Sequence, residues 1–593
     1  MKTLKLAFTF IILIGLANSS LAAQSTQSRS TLNGNWLGVL AIGDTKLRLL
    51  LKVTAPEDGS LTAVMESLDQ PNANNLQVDV ITFQNDVLHF EMKALRIAYE
   101  GTLSKAGEIV GTFTQAGNER QLIFRKEGLA QSNAVVKRGR IELKPCNDPA
   151  ITSDVLCTRY EVFEDRAARA GRKISLNIIL LPAQSSNPAP DPVFYLAGGP
   201  GGAATTYATE KFINGLRRNR DVVLVDQRGT GQSNPLNCPP VGSRDDMRGY
   251  FGEVMALDRI RACRTELEKI ADLKLYTTTI AMDDLDEVRS ALGYDRINVY
   301  GGSYGSTTTL AYLRQHPQHV RSIAISGVAP FSAKIPLSFS KGVQDAIDRL
   351  FADCAADPSC HGAYPDVASE FKTIMAQFAK GPVEVSARNV FTGSDQKVTV
   401  TRDAFVDSIR QLLYVPSAAA ALPALIHLGA KGNLGALVGT AFQIVTAIDS
   451  RIARGMQFSV ICGENVPFIT AEDVKTTSAN SFYGDARVRP TMRACAEWPQ
   501  AKVAPGFLDP VKSDTPALLI AGALDPVTPP WLAEVVARTL SHGRLIIVPN
   551  ATHASYDCVE NLVAEFIEKG TAEGLDVSCV NQIKRPPFTI IKE

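Results

Sequence analysis

The stretch Ile297-Asn298-Val299-Tyr300-Gly301-Gly302-Ser303-Tyr304-Gly305 decides how the rest of this chain is interpreted. A short strand runs into a Gly-x-Ser-x-Gly turn, and a helical pattern follows from Thr307 to Gln315. Such a sharp turn holds its serine at a strained backbone angle, at the N-terminus of a helix whose dipole favours negative charge. The stretch therefore predicts a nucleophile elbow at Ser303. Because chance supplies roughly 0.2 such pentamers in a chain of this length, the prediction needs support from other segments.

The composition is that of an ordinary globular protein. The chain has 593 residues, a formal net charge of +0, 45% hydrophobic residues and 21% charged residues, which allows two or three domains with large cores. The balanced charge argues against a nucleic-acid partner and gives no reason to expect binding to anionic membranes. No later stretch is apolar enough to span a bilayer, so stable membrane insertion is not expected.

The N-terminal residues have the pattern of a secretory signal peptide. Lys2 and Lys5 precede an apolar run over residues 6–17, and small residues follow at Ala22 and Ala23. The run of about a dozen residues is shorter than the roughly 20 needed to cross a membrane. Residues 1–23 are therefore predicted to be removed on export, and the mature protein is expected in the periplasm or outside the cell.

Ten cysteines support an oxidising compartment. Their number is even and they fall into near-neighbour pairs, which suggests five disulfides, although the sequence leaves the connectivity open. Metal ligation fits less well, because the chain has no Cys-x-x-Cys motif and no histidine close to a cysteine pair. The pairs are Cys146 with Cys157, Cys238 with Cys263, Cys354 with Cys360, Cys462 with Cys495, and Cys558 with Cys579.

Residues 24–130 are predicted to form a small antiparallel β domain, a barrel or a sandwich. Short runs of alternating apolar and polar residues are separated by turn residues at hairpin spacing, and about eight strands are expected. Such a domain either binds a ligand or a surface, or it assists folding and spacing with a filled core. The sequence identifies no ligand for it. The polar and basic residues 131–145 are interpreted as a linker.

From residue 146 onward, strands alternate with helices, which is typical of a largely parallel sheet. This α/β pattern covers residues 146–329, stops at Pro330 and resumes over residues 513–593. The intervening residues 330–512 are rich in Ala and Leu at helical spacing. Because this long insertion follows a strand of the sheet, we expect a helical cap over the carboxyl edge of the sheet.

Two late loops could supply the acid and the base that a serine nucleophile needs, since its hydroxyl reacts poorly alone. The strand at residues 517–521 runs into a loop with Asp525, and the strand at residues 545–548 runs into a loop with His553. Because the carboxyl ends of parallel strands meet at one edge of a sheet, both loops should reach Ser303. We therefore predict Asp525 as the acid and His553 as the base.

The other acids and histidines are excluded by their positions. Asp514 precedes its strand, and Asp557 follows the base in sequence. The remaining histidines lie in the β domain, at the end of the helix after the elbow, in the cap, or at the wrong end of a strand: His89, His316, His319, His361, His427 and His542.

An oxyanion hole needs two backbone N–H groups directed at the developing charge. One donor should be Tyr304, the residue after the nucleophile. The other should come from the glycine loop at residues 198–202, which follows a strand. Pro200 has no N–H, so Gly199 is the preferred donor and Gly198 remains an alternative. The loop lacks the Lys and the glycine spacing of a phosphate-binding motif, and neither a cofactor nor a metal is predicted.

Four motifs follow one another along the chain: Gly198-Gly199-Pro200-Gly201-Gly202, Asp226-Gln227-Arg228-Gly229-x-Gly231-x-Ser233, Gly301-Gly302-Ser303-Tyr304-Gly305 and Leu524-Asp525-Pro526-x-Thr528-Pro529. Together they resemble the prolyl iminopeptidase and tripeptidyl aminopeptidase family of α/β-hydrolases, and in particular its secreted branch. The resemblance covers roughly residues 146–579. It implies an α/β-hydrolase fold with a long helical cap insertion, here preceded by the small all-β domain. Ala197 stands where the prolyl iminopeptidases usually have His.

The resemblance implies that residues are removed from a free peptide N-terminus through an acyl-enzyme. Such an enzyme needs a carboxylate in the cap to hold the substrate ammonium. Glu464, in Cys462-Gly463-Glu464-Asn465, is the candidate, although a glutamate on the surface would give the same sequence. Asp226 and Arg228 are expected to brace the loops behind the site rather than to touch substrate.

The sequence thus predicts an exported serine hydrolase, and most specifically an aminopeptidase that acts on peptides with a free N-terminus. An esterase or amidase acting on small acyl compounds would use the same triad. An inactive hydrolase scaffold used for binding is a further alternative, which the presence of all three triad residues disfavours.

Overall fold

The structure is a computed structural model that describes residues 31–591, except 43–44, 57–59, 71–72, 74, 128–134, 149 and 554–556. The predicted signal peptide and part of the predicted linker lie outside the described residues. The chain divides into two compact units. The first contains the N-terminal β region together with residues 144–156 and 209–211, and the second contains the remainder.

The N-terminal unit is an antiparallel sheet. Its described strands are β1 (Gly34–Ile42), β2 (Thr45–Thr54), β3 (Thr62–Ser67), β4 (Leu76–Gln77), β5 (Val80–Gln84), β6 (Val87–Met92), β7 (Ile97–Leu103), β8 (Glu108–Gln115) and β9 (Asn118–Lys126). They form one sheet in the order β4-β3-β2-β1-β9-β8-β7-β6-β5. Side chains from all of these strands meet in one core.

Two large aromatic side chains fill the centre of that core and keep their polar atoms paired. The indole N–H of Trp36 donates to the carbonyl oxygen of Leu32 at 2.7 Å. The hydroxyl of Tyr99 lies 3.1 Å from the carbonyl oxygens of both Ile109 and Leu122. One sheet wrapped around one core is a half-barrel, which confirms the all-β prediction and selects the barrel over the sandwich.

The segment predicted as a linker, residues 131–145, contains two strands where the structure describes it. β10 (Val136–Arg138) and β11 (Ile141–Pro145) pair as an antiparallel hairpin. Ile141 and Leu143 are buried, whereas the charged residues beside them are exposed. This alternation is hard to detect in the sequence because Lys and Arg dominate the composition of the segment.

The second unit is built on a ten-stranded sheet. Besides β10 and β11, the strands of this sheet are β12 (Leu156–Phe163), β13 (Lys173–Leu181), β14 (Val193–Leu196), β15 (Val222–Val225), β16 (Ile297–Gly302), β17 (Val320–Ser326), β20 (Ala517–Gly522) and β21 (Gly543–Val548). Two more strands, β18 (Val383–Arg388) and β19 (Asp395–Val400), form a separate pair. The order across the sheet is β10-β11-β12-β13-β15-β14-β16-β17-β20-β21. From β15 to β21 the neighbours run parallel. Their carboxyl ends therefore share one edge, as predicted.

Helices complete this unit. Among the described residues, none of them combines the length and the apolar character needed to cross a bilayer. The α-helices are Lys211–Leu216, Leu257–Leu267, Thr278–Leu292, Tyr304–Gln315, Phe339–Ala356, Pro358–Ala363, Val367–Phe378, Arg402–Tyr414, Pro416–Ala430, Gly435–Asp449, Arg454–Glu464, Ala471–Ser478, Val488–Ala496, Pro530–Ala537 and Asp557–Lys569.

The insertion between β17 and β20, which we call the cap (residues 330–512), is mainly helical but also contains a hairpin. β18 and β19 pair in antiparallel register across a turn in which Gly393 has φ +72°. The sequence did not predict this hairpin within the helical cap. The period-two alternation of the hairpin buries the following side chains against the cap helices: Val385, Ala387, Val398 and Val400.

Disulfides form between the near neighbours that the sequence paired. The prediction is confirmed for Cys238 with Cys263, Cys354 with Cys360, Cys462 with Cys495, and Cys558 with Cys579. Cys146 and Cys157 are each disulfide-bonded as well.

Asp226 and Arg228 follow β15 and are engaged inside the protein. Arg228 is fully buried, and its Nε and Nη2 donate to the carboxylate of Asp284 at 2.6 and 2.9 Å, while Nη1 donates to the carbonyl oxygen of Glu164. The carboxylate of Asp226 accepts hydrogen bonds from both the N–H and the hydroxyl of Thr205 at 2.9 Å. These contacts fit the bracing role that the sequence suggested.

We expect Arg228→Ala to lower the free energy of unfolding by about 3–5 kcal/mol, because it removes the fully buried partner of the Asp284 carboxylate and leaves only the part-exposed Arg166. The measurement is the shift of the urea-unfolding midpoint. Arg248→Ala is the matched control, since Arg248 makes a similar two-point pair with Asp246 but is solvent-exposed and should leave the midpoint unchanged. Equal shifts for the two variants would contradict the bracing role.

Candidate active site

Ser303 lies at the turn between β16 and the helix Tyr304–Gln315. Its backbone has φ 58° and ψ −124°, a combination that residues other than glycine rarely adopt. Close packing enforces the turn, because a β-carbon on Gly301 would collide with the carbonyl oxygen of Gly305, and one on Gly305 with that of Leu196. The half-buried serine side chain thus sits at a helix N-terminus, where developing negative charge is stabilised.

The predicted acid and base lie on two loops that are hydrogen-bonded to each other. Asp525 follows β20, and His553 follows β21. The N–H of Leu524 donates to the carbonyl oxygen of Ala551 at 2.9 Å. This backbone bond holds the acid loop against the base loop at the carboxyl edge of the sheet.

The buried carboxylate of Asp525 accepts four hydrogen bonds. Oδ1 accepts from the backbone N–H groups of Val527 and Thr528, both at 2.9 Å. Oδ2 accepts from the Thr528 hydroxyl at 2.6 Å and from His553 Nδ1 at 2.7 Å. Burial alone would raise the pKa of Asp525, but the electrostatic interaction and hydrogen bond with His553 and the bonds from Thr528 outweigh it, so the pKa lies below its usual value. Asp525 is therefore ionised.

The imidazole of His553 is held in one orientation. Because ionised Asp525 can only accept, Nδ1 carries the proton and Nε2 keeps a lone pair with which to take a proton. The side chain is 6% exposed, and the ring of Tyr414 covers it with centroids 4.4 Å apart. Gly327 makes room on another side: it has φ +56°, and a β-carbon there would lie 3.0 Å from His553 Cε1.

Among the described residues, no hydrogen bond joins the side chains of Ser303 and His553. Catalytic hydrogen bonds are often long before substrate binds. The acid–base half of the predicted triad is formed, and the part of Ser303 in it stays a prediction.

The glycine loop lies directly against the nucleophile. A β-carbon on Gly198 would come within 3.1 Å of Ser303 Cβ and 3.7 Å of its Oγ. Gly199 follows with φ +124°, a conformation that favours glycine. Tyr304 is the first residue of its helix, so its N–H has no intrahelical acceptor. Gly198 thus packs against Ser303, and the role of Tyr304 and of Gly199 or Gly198 as oxyanion donors stays a prediction.

The cap holds this glycine loop through its backbone. The N–H of Ala453 donates to the carbonyl oxygen of Gly201 at 3.0 Å, and Gly202 forms an antiparallel bridge with Ile452. A β-carbon on Gly201 would come within 2.7 Å of the Ala453 carbonyl oxygen. The glycines are therefore needed for close contact between loop and cap as well as for access to Ser303.

Glu464 ends the cap helix Arg454–Glu464 and is 2% exposed. One carboxylate oxygen accepts from the N–H of Thr278 and the other from its hydroxyl, both at 2.5 Å. The hydroxyl of Thr278 also bonds to that of Tyr304 at 2.7 Å. Burial raises the pKa of Glu464 to about 7, although the bonds from Thr278 lower it. A chain of two hydrogen bonds therefore links this carboxylate to the residue next to Ser303.

Comparison with protein families accounts for this arrangement. Residues 191–557, well over half of the chain, match the family described as alpha/beta hydrolase fold. The chain belongs to the α/β-hydrolase family. This confirms the predicted fold, with Ser303, Asp525 and His553 on the elbow and the two late loops in the order that the fold requires.

Individual relatives of this α/β-hydrolase include named peptidases. It is 24% identical over 494 residues to the serine protease Hip1 of Mycobacterium tuberculosis. The aligned region covers 74% of this chain and 91% of that protein. It is 30% identical over 145 residues to the proline iminopeptidase of Neisseria gonorrhoeae, covering 24% of this chain and 35% of that protein. A solved proline iminopeptidase of Mycobacterium smegmatis is 17% identical, with a TM-score of 0.32, over 70% of this chain and 98% of its own. The curated relatives confirm the resemblance that the motifs indicated.

Several side chains of the α/β-hydrolase site were not predicted from the sequence. Thr528 belongs to the quoted Asp-Pro-x-Thr-Pro motif, whose spacing places it one turn beyond the acid. Gly327 directly follows β17, and a glycine at the carboxyl end of a core strand is a usable signal. Tyr414 and Thr278 gave no signal, because only folding brings them beside His553 and Glu464.

One group in the described part of the chain has metal-ligand character. Potential ligand atoms of Asp286, His316 and His319 lie within 4.8 Å of one another. Asp286, however, already accepts from Arg289 Nε at 2.7 Å and from the Tyr312 hydroxyl at 2.9 Å. A guanidinium on the same carboxylate opposes a divalent cation, so we interpret the group as an ion-pair network at the far end of the elbow helix.

We expect Gly327→Ala to slow reaction of Ser303 with a fluorophosphonate by about 10- to 100-fold, because its β-carbon displaces the His553 ring. The measurement is the second-order labelling rate. Gly432→Ala is the control: Gly432 also has positive φ, but a β-carbon there would meet no atom within 4 Å, so the variant incurs backbone strain without displacing the base. Unchanged labelling of the Gly327 variant would contradict this account.

Proposed function

We propose that the protein is an exported serine aminopeptidase that releases residues or short peptides from free peptide N-termini through an acyl-enzyme. The observation that carries this proposal is the His553 Nδ1–Asp525 Oδ2 hydrogen bond of 2.7 Å at the sheet edge, beside a serine held at φ 58°. Neither a metal nor a cofactor takes part in the proposed reaction.

The proposed reaction assigns a role to each of these groups. Ser303 Oγ attacks the peptide carbonyl carbon while His553 Nε2 takes the serine proton, and Asp525 stabilises the imidazolium. The oxyanion accepts from the N–H of Tyr304 and from that of Gly199 or Gly198. His553 then gives its proton to the leaving amine. A water molecule, deprotonated by the same nitrogen, hydrolyses the acyl-enzyme and restores Ser303.

Glu464 supports recognition of a free N-terminus. Its carboxylate is buried, and no Lys, Arg or His side chain pairs with it in the described part of the chain. An unpaired buried carboxylate is unfavourable, and a substrate ammonium would supply the missing positive charge. The Cys462–Cys495 disulfide anchors the helix turn that carries it. We therefore assign Glu464 as the ammonium-binding residue of this proposal.

Two further observations support the proposed class and location. The relatives that match are named serine protease and proline iminopeptidase, which favours peptides over small esters. The disulfides favour an oxidising compartment. Export to the periplasm or the medium is the location that fits both the disulfides and the N-terminal sequence.

We expect Ser303→Ala to lower hydrolysis of tripeptidyl or aminoacyl anilides by at least about 10⁴-fold. The wild-type protein should cleave these substrates in the presence of a chelator and should fail on the same peptides after N-acetylation. A peptide-library digest read by mass spectrometry gives the length of the released product. Equal cleavage of free and acetylated substrates would contradict an aminopeptidase and indicate an amidase or esterase.

The pKa of Glu464, about 7, predicts a pH dependence of KM. Below that pH the carboxyl is neutral and loses its attraction for an ammonium, whereas the substrate ammonium stays charged up to about pH 7.7. KM for free-amine substrates should therefore fall by up to about tenfold between pH 6 and pH 7.5. Glu464→Gln should give a high KM that does not vary over this range.

The control for that experiment is Glu497→Gln, which changes a cap glutamate paired with Arg261 and should keep the wild-type profile. If Glu464→Gln retains both the wild-type KM and its pH dependence, the ammonium binds elsewhere.

A further inference from the structure

Thr278 lies between two groups that the proposed reaction uses. It is fully buried and begins the helix Thr278–Leu292. Its N–H donates to one oxygen of the Glu464 carboxylate and its hydroxyl to the other, both at 2.5 Å. The hydroxyl oxygens of Thr278 and Tyr304 lie 2.7 Å apart. A single residue therefore joins the cap carboxylate to the residue that follows the nucleophile.

We propose that Thr278 is a positioning residue for substrate recognition, which holds the Glu464 carboxylate ionised and oriented to receive the ammonium of a free peptide N-terminus. This inference rests on the proposed aminopeptidase function. An ionised carboxylate accepts at about four lone-pair positions. Thr278 takes one on each oxygen, which fixes the plane of the carboxylate and leaves the other positions for the ammonium.

The direction of these hydrogen bonds depends on the charge of Glu464. An ionised carboxylate can only accept, so the Thr278 hydroxyl gives its proton to Glu464 and accepts from the Tyr304 hydroxyl. Protonation of Glu464 on the oxygen facing the threonine hydroxyl would reverse this chain and make Tyr304 the acceptor. Two donors directed at the carboxylate, one of them an N–H at the start of a helix, favour the ionised state.

Among the described residues, Tyr304 is the titratable group that faces Glu464 across Thr278. Burial and the negative charge of Glu464 raise the pKa of the Tyr304 hydroxyl well above its usual value, so Tyr304 stays protonated. Burial raises the pKa of Glu464 as well, and the bonds from Thr278 oppose that rise. The basic side chains of the elements packed against the Glu464 helix are engaged elsewhere or exposed: Arg259, Arg261, Arg264, Lys274, Arg489 and Arg493.

The test compares the pH dependence of KM for free-amine anilides in the wild type and in Thr278→Val, which keeps the side-chain shape but loses the hydroxyl. Because one hydrogen bond to a charged group is removed, the fall in KM should move upward by about one pH unit. KM at pH 7 should then rise about fivefold. Thr278→Ser, which keeps the hydroxyl, should restore the wild-type profile. Thr278→Ala serves as a second hydroxyl-free variant if Thr278→Val does not fold.

Two comparisons separate this role from a general effect on the helix. Thr277→Val is the matched control, because Thr277 caps the same helix by accepting from the N–H of Ile280 at 3.3 Å. Loss of that cap should lower the unfolding midpoint and leave the KM profile unchanged. In the Glu464→Gln background, Thr278→Val should cause no further rise in KM, since the threonine acts through that carboxylate.

Three results would overturn the inference and leave the proposed function standing. They are a wild-type KM profile in both Thr278→Val and Thr278→Ala, an equal shift in Thr277→Val, and a further rise of KM in the double variant. Equal cleavage of free and N-acetylated peptides by the wild type overturns the proposed function, and this inference with it.

Discussion

The backbone strain at Ser303 is the constraint on which the rest of the site depends. A residue at φ 58° and ψ −124° costs of the order of 1–3 kcal/mol, and the surrounding structure must hold it there. It does so because strand β16 and the following helix approach so closely that Gly301 and Gly305 admit no β-carbon. The serine N–H is also engaged by the carbonyl oxygen of Ser326 on β17 at 2.9 Å. The contacts that hold the Ser303 backbone therefore come from the sheet and the helix after β16 rather than from the cap.

The buried carboxylates of Asp525 and Glu464 have opposite electrostatic environments, and the difference determines what each can bind. Asp525 accepts four hydrogen bonds, one from an imidazole, and stays ionised with its pKa lowered. Among the described residues, Glu464 accepts from Thr278 alone, and its pKa is raised. A carboxylate with a full set of donors orients a neighbouring base. A carboxylate with too few hydrogen-bond donors is suited to bind a cation from outside the protein.

The sequence predicted those features that strand order and local spacing determine. Ser303, Asp525 and His553 each follow a core strand, so a parallel sheet had to bring them to one edge. Sequence reasoning failed where the decisive contact joins segments distant in the chain: 186 residues separate Thr278 from Glu464. Tyr414 likewise meets the His553 ring only because a cap helix ends beside it. The hairpin β18–β19 and the strands β10 and β11 were missed for another reason, since their alternating apolar positions are few and lie among charged residues.

The backbone bridge between residues 201–202 and 452–453 has a consequence for engineering by recombination. Caps of related hydrolases are attractive units to graft, because they select the substrate. In this chain the cap forms backbone contacts with the loop that flanks the nucleophile, so the natural graft boundary falls inside the cap rather than at its ends. A chimera that keeps residues 450–453 with the catalytic core preserves the conformation of the glycine loop. One that replaces them also changes the backbone contacts of the loop beside Ser303.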